Sequence, residues 1–313
     1  MLYISMIEYV LFIILLLCFV YLNYQYINNK PDETLNNDEL MDIDSYFYSD
    51  DYLKSSKRRK LWIHIPYELN SRNWKSFGSR NSTELNLPYM VLCIKSIIDK
   101  CGDSYDIILI DDTNFSDLLN TDIDILKISG ALKEKYREMS LLQVLYNYGG
   151  VMVPPTIFLK KSIKTVDNPN IWYVVEIMNT SSVSNLNTIT STIFSGSSKN
   201  NLDLKKYIDQ YSKDIANDFG EQSLHFNTNY ITKNDIYYLD GKFIGIKDKY
   251  DKYIRLDDLM ENKNIILDEN TIGVYIPHHE LIKRKKYNWF CYLTYEEVLK
   301  CKIFISYYMR STK

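Results

Sequence analysis

The stretch from Ala131 to Leu159, ALKEKYREMSLLQVLYNYGGVMVPPTIFL, constrains the fold of this chain most. It reads as a long amphipathic helix, a glycine stop, a short apolar strand and a proline block. Leu132, Tyr136, Met139, Leu142 and Tyr146 recur at steps of three or four, which puts them on one helical face. No Gly or Pro interrupts the run before Gly149, which stands where a left-handed C-terminal cap is needed. Val151, Met152 and Val153 are apolar and partly β-branched, so a buried strand is predicted. Pro154 and Pro155 end it, because neither can donate to a ladder.

The elements before this stretch alternate. Leu61–Ile65 (LWIHI) predicts a first strand, in which His64 reads as a core residue rather than a base. Leu87–Lys100 predicts a helix with Val91, Ile94 and Ile98 on one face. Tyr105–Ile110 (YDIILI) is an apolar run of the buried-strand type, and Phe115–Leu119 predicts a short helix. Strand, helix, strand, helix, then the long helix and Val151–Val153, is the opening of a Rossmann-like α/β sheet. In open sheets of this kind ligands gather beyond the carboxyl ends of the strands. Asp111 and Asp112 stand just past such an end, which makes them candidate catalytic carboxylates. Asp in that place also starts turns and caps helices, and the short helix that follows favours the cap. Farther on, Ile171–Ile177 predicts a strand. Ser181–Ser198 predicts a polar loop with a short strand at Thr192–Phe194, and Leu202–Ile215 a helix. Tyr237–Ile246 and Lys252–Leu256 predict strands, Gly273–Pro277 (GVYIP) a further apolar run, and the segment from Glu296 to Leu299 a closing helix.

The helix, Y-G-G and apolar strand resemble the nucleotide-sugar site of family 32 glycosyltransferases and the related capsular-polysaccharide enzymes, whose signature is roughly S-D-x-x-R-x-x-x-L-y-x-y-G-G-x-y-x-D-x-D. Leu145, Tyr146, Tyr148, Gly149, Gly150 and Val151 match it. The polar positions do not: the family Ser falls on Arg137, its Asp on Glu138 and its Arg on Leu141. The two aspartates of D-x-D fall on Pro154 and Thr156. The resemblance implies a GT-A-like mixed sheet flanked by helices, with Gly149 and Gly150 beside a nucleotide-sugar. It also implies that the loop after the first strand meets the nucleotide. There Asn70, Arg72, Trp74, Arg80 and Asn81 are suitable donors and stackers, although no phosphate-cradle motif appears.

A GT-A transferase uses the D-x-D aspartates to hold a divalent cation against the donor diphosphate. Hard cations want several oxygen ligands, and the ion neutralises the leaving group. Proline offers no side-chain oxygen and threonine one neutral hydroxyl. No cofactor is therefore expected, and Mn or Mg least of all. The cues LWIHIPYELNSRNW, YGG, GVYIP and KYNWF together look like glycosyltransferase-like proteins of large DNA viruses. An Asn-, Lys- and Ile-rich sequence with 28 tyrosines suits an AT-rich genome.

Ile4–Leu22 is almost wholly apolar, broken by Ser5 and Glu8. As a helix at about 1.5 Å per residue it matches a hydrocarbon core. With no basic n-region and no small-residue cleavage site, a retained anchor is expected over a signal peptide. Residues 1–27 are thus assigned to a membrane anchor, 28–60 to a charged tether and 61–313 to one glycosyltransferase-like domain. Lys30 and Lys54–Lys60 follow the anchor and place the domain in the cytosol by the positive-inside rule, whereas Golgi enzymes of the family face the lumen. Only a lumen would use the sequons at Asn81, Asn114 and Asn179. A net charge of −3 argues against nucleic-acid binding. Cys18, Cys93, Cys101, Cys291 and Cys301 show neither metal spacing nor a disulfide framework. His278, His279 and Glu280 lack the i, i+4 spacing of a helical metal site, leaving His279 a minor metal candidate. Lys283–Lys286 (KRKK), followed by Tyr287, Trp289 and Phe290, suits a phosphate or lipid headgroups. Two functions compete: a catalytically degenerate protein that binds nucleotide-sugar or glycan or builds a virion or membrane, and a metal-independent transferase with Asp111 as base.

Overall fold

Strand formation begins earlier than LWIHI, because Arg59 and Lys60 already pair with the neighbouring strand. The structure, a computed structural model, describes residues 43, 45–66, 87–119, 121, 124–178, 188–217 and 237–311. The apolar segment Ile4–Leu22, the loop residues Asn70, Arg72, Trp74 and Arg80, and the sequons at Asn81 and Asn179 lie outside them. No helix among the described residues is long and apolar enough to cross a membrane.

The elements run α1 (Asp50–Ser55), β1 (Arg59–His64), α2 (Pro88–Cys101), β2 (Tyr105–Ile110), α3 (Phe115–Leu119), α4 (Gly130–Tyr148), β3 (Gly150–Met152), β4 (Ile157–Leu159), β5 (Tyr173–Met178) and β6 (Thr188–Ser197). After them come α5 (Leu202–Asn217), β7 (Tyr237–Leu239), α6 (Leu256–Leu259), β8 (Gly273–Tyr275), α7 (His278–Lys283), α8 (Tyr295–Lys300) and α9 (Phe304–Arg310). Six strands form one mixed sheet in the order β2-β1-β3-β6-β5-β7, and β4 pairs with β8 in a separate ribbon. Strands β2, β1 and β3 are parallel, β6 runs antiparallel between β3 and β5, and β7 is parallel to β5. The chain is therefore mixed α/β with helices flanking the sheet.

Period-two alternation divides the strand residues between two buried faces. Trp62, Ile108, Ile110, Met152 and Val174 share a core with Leu142 and Leu145 of α4 and with Leu204, Tyr207 and Ile208 of α5. Leu61, Ile63, Ile107, Leu109 and Val151 alternate with them and are just as buried. All six residues of β2 are buried, as a parallel strand covered on both sides requires. On α4 the inward face is Met139, Leu142 and Leu145, while Leu132 is 44% exposed. The helix stripe thus starts one turn later than the sequence pattern suggests.

Residues 45–60, read as tether, belong to the folded unit that begins at Ser45. Tyr46 and Tyr48 pair with Leu109 along the outer edge of β2 (2.8 Å each). Arg58 grips Asp106 through its backbone N–H and Nε, both at 2.7 Å. Arg59 clamps Asp167 at 2.6 and 2.9 Å and donates to the carbonyls of Gly150 and Ser197. Tyr105 and Tyr173 also donate to Asp167. One buried knot so ties the amino ends of β1, β2, β3 and β5.

Three expectations differ from the structure. The Ser/Thr-rich segment predicted as loop forms the ten-residue strand β6, because β3 and β5 flank it and supply partners for its backbone. The strand at Tyr237 stops at Leu239 and passes into a 3-10 turn at Gly241–Ile244, and Lys252–Leu256 makes a single bridge between Lys247 and Tyr253. A second terminal helix, α9, follows the predicted closing helix.

Candidate functional site

The parallel strands set the site. From β1 the chain crosses to β2 on one side, then returns through α4 to β3 on the other side of β1. The order reverses between β1 and β3, and their carboxyl ends frame the crevice where α/β sheets bind ligands. His64 closes β1, Pro154 follows β3, and Asp111 and Asp112 follow β2. The backbone N–H of Val153 bonds the Trp62 carbonyl at 2.9 Å, which holds β3 against β1 up to Pro154.

Asp112 is the centre of this end of the sheet and is buried. Arg137 of α4 bonds both its oxygens, Nε to Oδ1 at 2.8 Å and Nη2 to Oδ2 at 2.7 Å. His64 Nε2 lies 2.9 Å from Oδ1, and Lys133 Nζ lies 3.4 Å from Oδ2. Glu134 in turn accepts from Arg137 Nη1 at 2.7 Å. Two cations thus face two carboxylates. Burial alone would raise the Asp112 pKa, but hydrogen bonds from Arg137 and His64 more than offset it and hold the carboxyl well below the usual range. Burial pushes the His64 pKa down, against the pull of Asp112. The imidazole is therefore neutral and donates from Nε2, stacked on Phe115 with centroids 5.5 Å apart. Held ionised by three hydrogen bonds and the nearby Lys133 ammonium, Asp112 is a weak base.

Asp111 is half-buried and works as a cap. Its Oδ1 accepts from the Thr113 backbone N–H at 2.8 Å, and its own N–H donates to Asn114 Oδ1 at 2.9 Å. The sequon residue Asn114 is thus part of the capping box. Pro154 and Thr156, where D-x-D would fall, are both buried, Thr156 to 3% exposure. The Ile276 backbone N–H donates to the Thr156 carbonyl at 2.9 Å, which draws the chain into the β4–β8 ribbon. These residues do not fit a divalent cation, which needs several accessible oxygens. Among the described residues no group of three or more His, Cys, Asp or Glu could hold a metal ion.

Gly149 and Gly150 lie at the amino end of β3, away from the crevice. Gly149 caps α4 with φ 68° and ψ −175°, so it is not the left-handed cap predicted but a conformation essentially confined to glycine. Its carbonyl accepts from Trp62 Nε1 at 2.9 Å. A Cβ on Gly150 would stand 2.4 Å from the Lys60 carbonyl oxygen. The contacts of the pair are with the backbone and with Trp62 and Arg59.

His278 and His279 open the helix α7, and His278 Nδ1 meets the Tyr89 hydroxyl. In the KRKK run, Arg284 pairs with Asp257 at 2.7 Å, and Lys286 lies 3.7 Å from Asp257 and 3.8 Å from Glu261. Lys283 and Lys285 remain exposed.

Sequence reasoning missed Arg137, taken only as a mismatch to the family Ser. Its signal was positional: Arg137, Ser140 and Val144 share a face of α4 and all are buried. It also missed Glu138, whose carboxylate accepts from Thr192 Oγ1 at 2.6 Å and Tyr211 OH at 2.8 Å and whose pKa burial raises. Glu176 was missed as well. It is buried on β5 and paired with Lys247 at 2.6 Å. Comparison with protein-family models gives no match, and comparison with curated proteins gives none.

Proposed function

We propose that this chain is a membrane-anchored protein with a GT-A-like, family-32-like glycosyltransferase scaffold whose metal-dependent chemistry has been lost. It binds a nucleotide-sugar or glycan, or serves as a virion or membrane component. The observation that carries this reading is the burial of Pro154 and Thr156 at the end of β3, where a transferase needs two accessible carboxylates. The saturation of Asp112 by Arg137 and His64 supports it further. The parallel order β2-β1-β3, with its reversal beside Pro154, is compatible with a nucleotide-binding scaffold.

A metal-independent transferase is the second reading, and the half-exposed Asp111 at the end of β2 favours it. There Arg72, Arg80 or the lysines of Lys283–Lys286 hold the donor charge in place of a cation. The full-length chain in detergent, titrated with UDP- and GDP-sugars with and without Mn²⁺ and assayed for donor hydrolysis, separates the two. Donor binding that ignores Mn²⁺, without turnover, is expected. Metal-independent turnover lost in Asp111→Asn or Arg80→Ala establishes the second reading instead. Turnover that requires Mn²⁺ refutes both.

A further inference from the structure

An open groove of about 490 Å³ lies between α9 and the segment after α6, lined by Phe304, Tyr307, Tyr308 and Ser311 on one side and Asn262, Lys263 and Asn264 on the other. That volume is in the range of small-ligand sites. Phe304, Tyr307, Tyr308 and Ser311 follow helical steps of three, one and three, so one face of α9 and its end presents them together. Phe304 and Tyr308 are buried, and Tyr308 packs on Phe158 of β4. Tyr307 is 41% exposed, so the core does not explain it.

The charge around these rings points to what enters. Lys160, just past β4, places its ammonium 3.9 Å from the Tyr308 ring centroid and donates to Ser311 Oγ. Arg310 lies 4.6 Å over the Tyr307 ring. Neither forms an ion pair among the described residues. Burial pushes the Lys160 pKa down, as for a cation whose hydration is only partly replaced. Lys263 is already bound to Asp258 at 2.7 Å and Glu261 at 3.0 Å, so it adds a donor and little charge. Asn262 and Asn264 supply amides able to both donate and accept, which suits hydroxyl groups.

We propose that this groove binds an anionic monosaccharide, a sugar phosphate or a sugar carboxylate, with the ring against Tyr307 and the anion on Lys160 and Ser311. The aromatic wall takes the apolar face of the ring, and the Lys160 ammonium, without an ion-pair partner among the described residues, takes the charge. The site is separate from the crevice, since Lys160 lies four residues, roughly 13 Å, along β4 from Thr156. It does not rest on the nucleotide-sugar reading, and Asp111→Asn leaves it unchanged.

The test is titration calorimetry on the full-length chain in detergent with glucose 6-phosphate, glucuronate, glucose, inorganic phosphate and uridine monophosphate. Glucose 6-phosphate, glucuronate or both bind at millimolar concentration, and glucose and phosphate alone bind about tenfold more weakly. The first two compounds tell the phosphate from the carboxylate source. Tyr307→Ala lowers affinity about tenfold with an unchanged melting temperature. Lys160→Gln does the same, and Lys160→Arg restores binding. Glucose binding as tightly as its phosphate, uridine monophosphate binding while both sugar anions fail, or Tyr307→Ala behaving as the parent chain overturns the proposal.

Discussion

Arg137 bonds both oxygens of Asp112, at 2.8 and 2.7 Å, and so ties down a carboxylate that stands at the mouth of the sheet. An aspartate past the end of a parallel strand is a natural candidate for metal or substrate. Here it fastens β2 to α4 and, through His64, to β1. At this end of the sheet the Asp112 carboxylate serves as a tie between elements.

Breaking that pair from one side leaves a buried charge without a partner. Arg137→Met or Asp112→Leu alone is expected to cost about 3–5 kcal/mol, and the double variant markedly less than the sum. Urea unfolding of the four proteins measures this. Additive losses would show that the two residues do not act as a pair.

The same cluster fixes the acid side of the stability curve. The His64 pKa is lowered from its ordinary 6.5 in the fold, so the unfolded chain takes the proton first. Stability therefore falls as pH drops from 6.5 through the lowered folded value. The Asp112 pKa is depressed from 3.8, so its contribution is complete above 3.8 and is lost as pH falls through the depressed value. Unfolding free energy against pH should show both falls, and His64→Gln should remove the upper one and shrink the lower, because His64 also holds the Asp112 carboxyl down. An unchanged profile in His64→Gln would mean that the imidazole carries no linkage.

The Y-G-G motif is expected to matter for folding. Gly150 has φ 114°, and a Cβ there meets the Lys60 carbonyl oxygen at 2.4 Å; Gly130 has φ 65° and open space around it. Gly150→Ala should cost about 3 kcal/mol or prevent folding, and Gly130→Ala about 1–2 kcal/mol from conformation alone. Thermal melts of the two variants rank them. Equal losses would remove the close approach as the reason for Gly150.

Restoring the aspartates should not restore a metal site. Pro154→Asp with Thr156→Asp places two carboxylates in buried positions with no compensating cation, and several kcal/mol of stability is expected to go. Calorimetry with Mn²⁺ should detect no binding and melting should drop. Tight Mn²⁺ binding by a stable double variant would show that the crevice keeps its other ligands.

Legibility followed the range of the forces involved. The helix Gly130–Tyr148, the buried strand Tyr105–Ile110 and the short helix Phe115–Leu119 were readable because hydrophobic period and end signals are local. Thr188–Ser197 was misread as mostly loop because hydroxyl-rich residues carry no period; its strand exists because β3 and β5 offer hydrogen bonds on both edges. The basic run before β1 falls within the expected charged tether for the same kind of reason: the partners of Arg58 and Arg59, Asp106 and Asp167, lie 48 and 108 residues away.

By itself the sequence determined the α/β alternation, the glycine stop after the long helix and the absence of side-chain carboxylates at positions 154 and 156, since each is a property of neighbouring residues. Only the tertiary structure decided that Asp112 is tied to Arg137 and His64, that Gly149 and Gly150 serve backbone packing, and that the tyrosines of α9 line a groove beside Lys160. Charge pairing and burial depend on which distant side chains the fold brings within a few ångströms, and a linear pattern does not carry those distances.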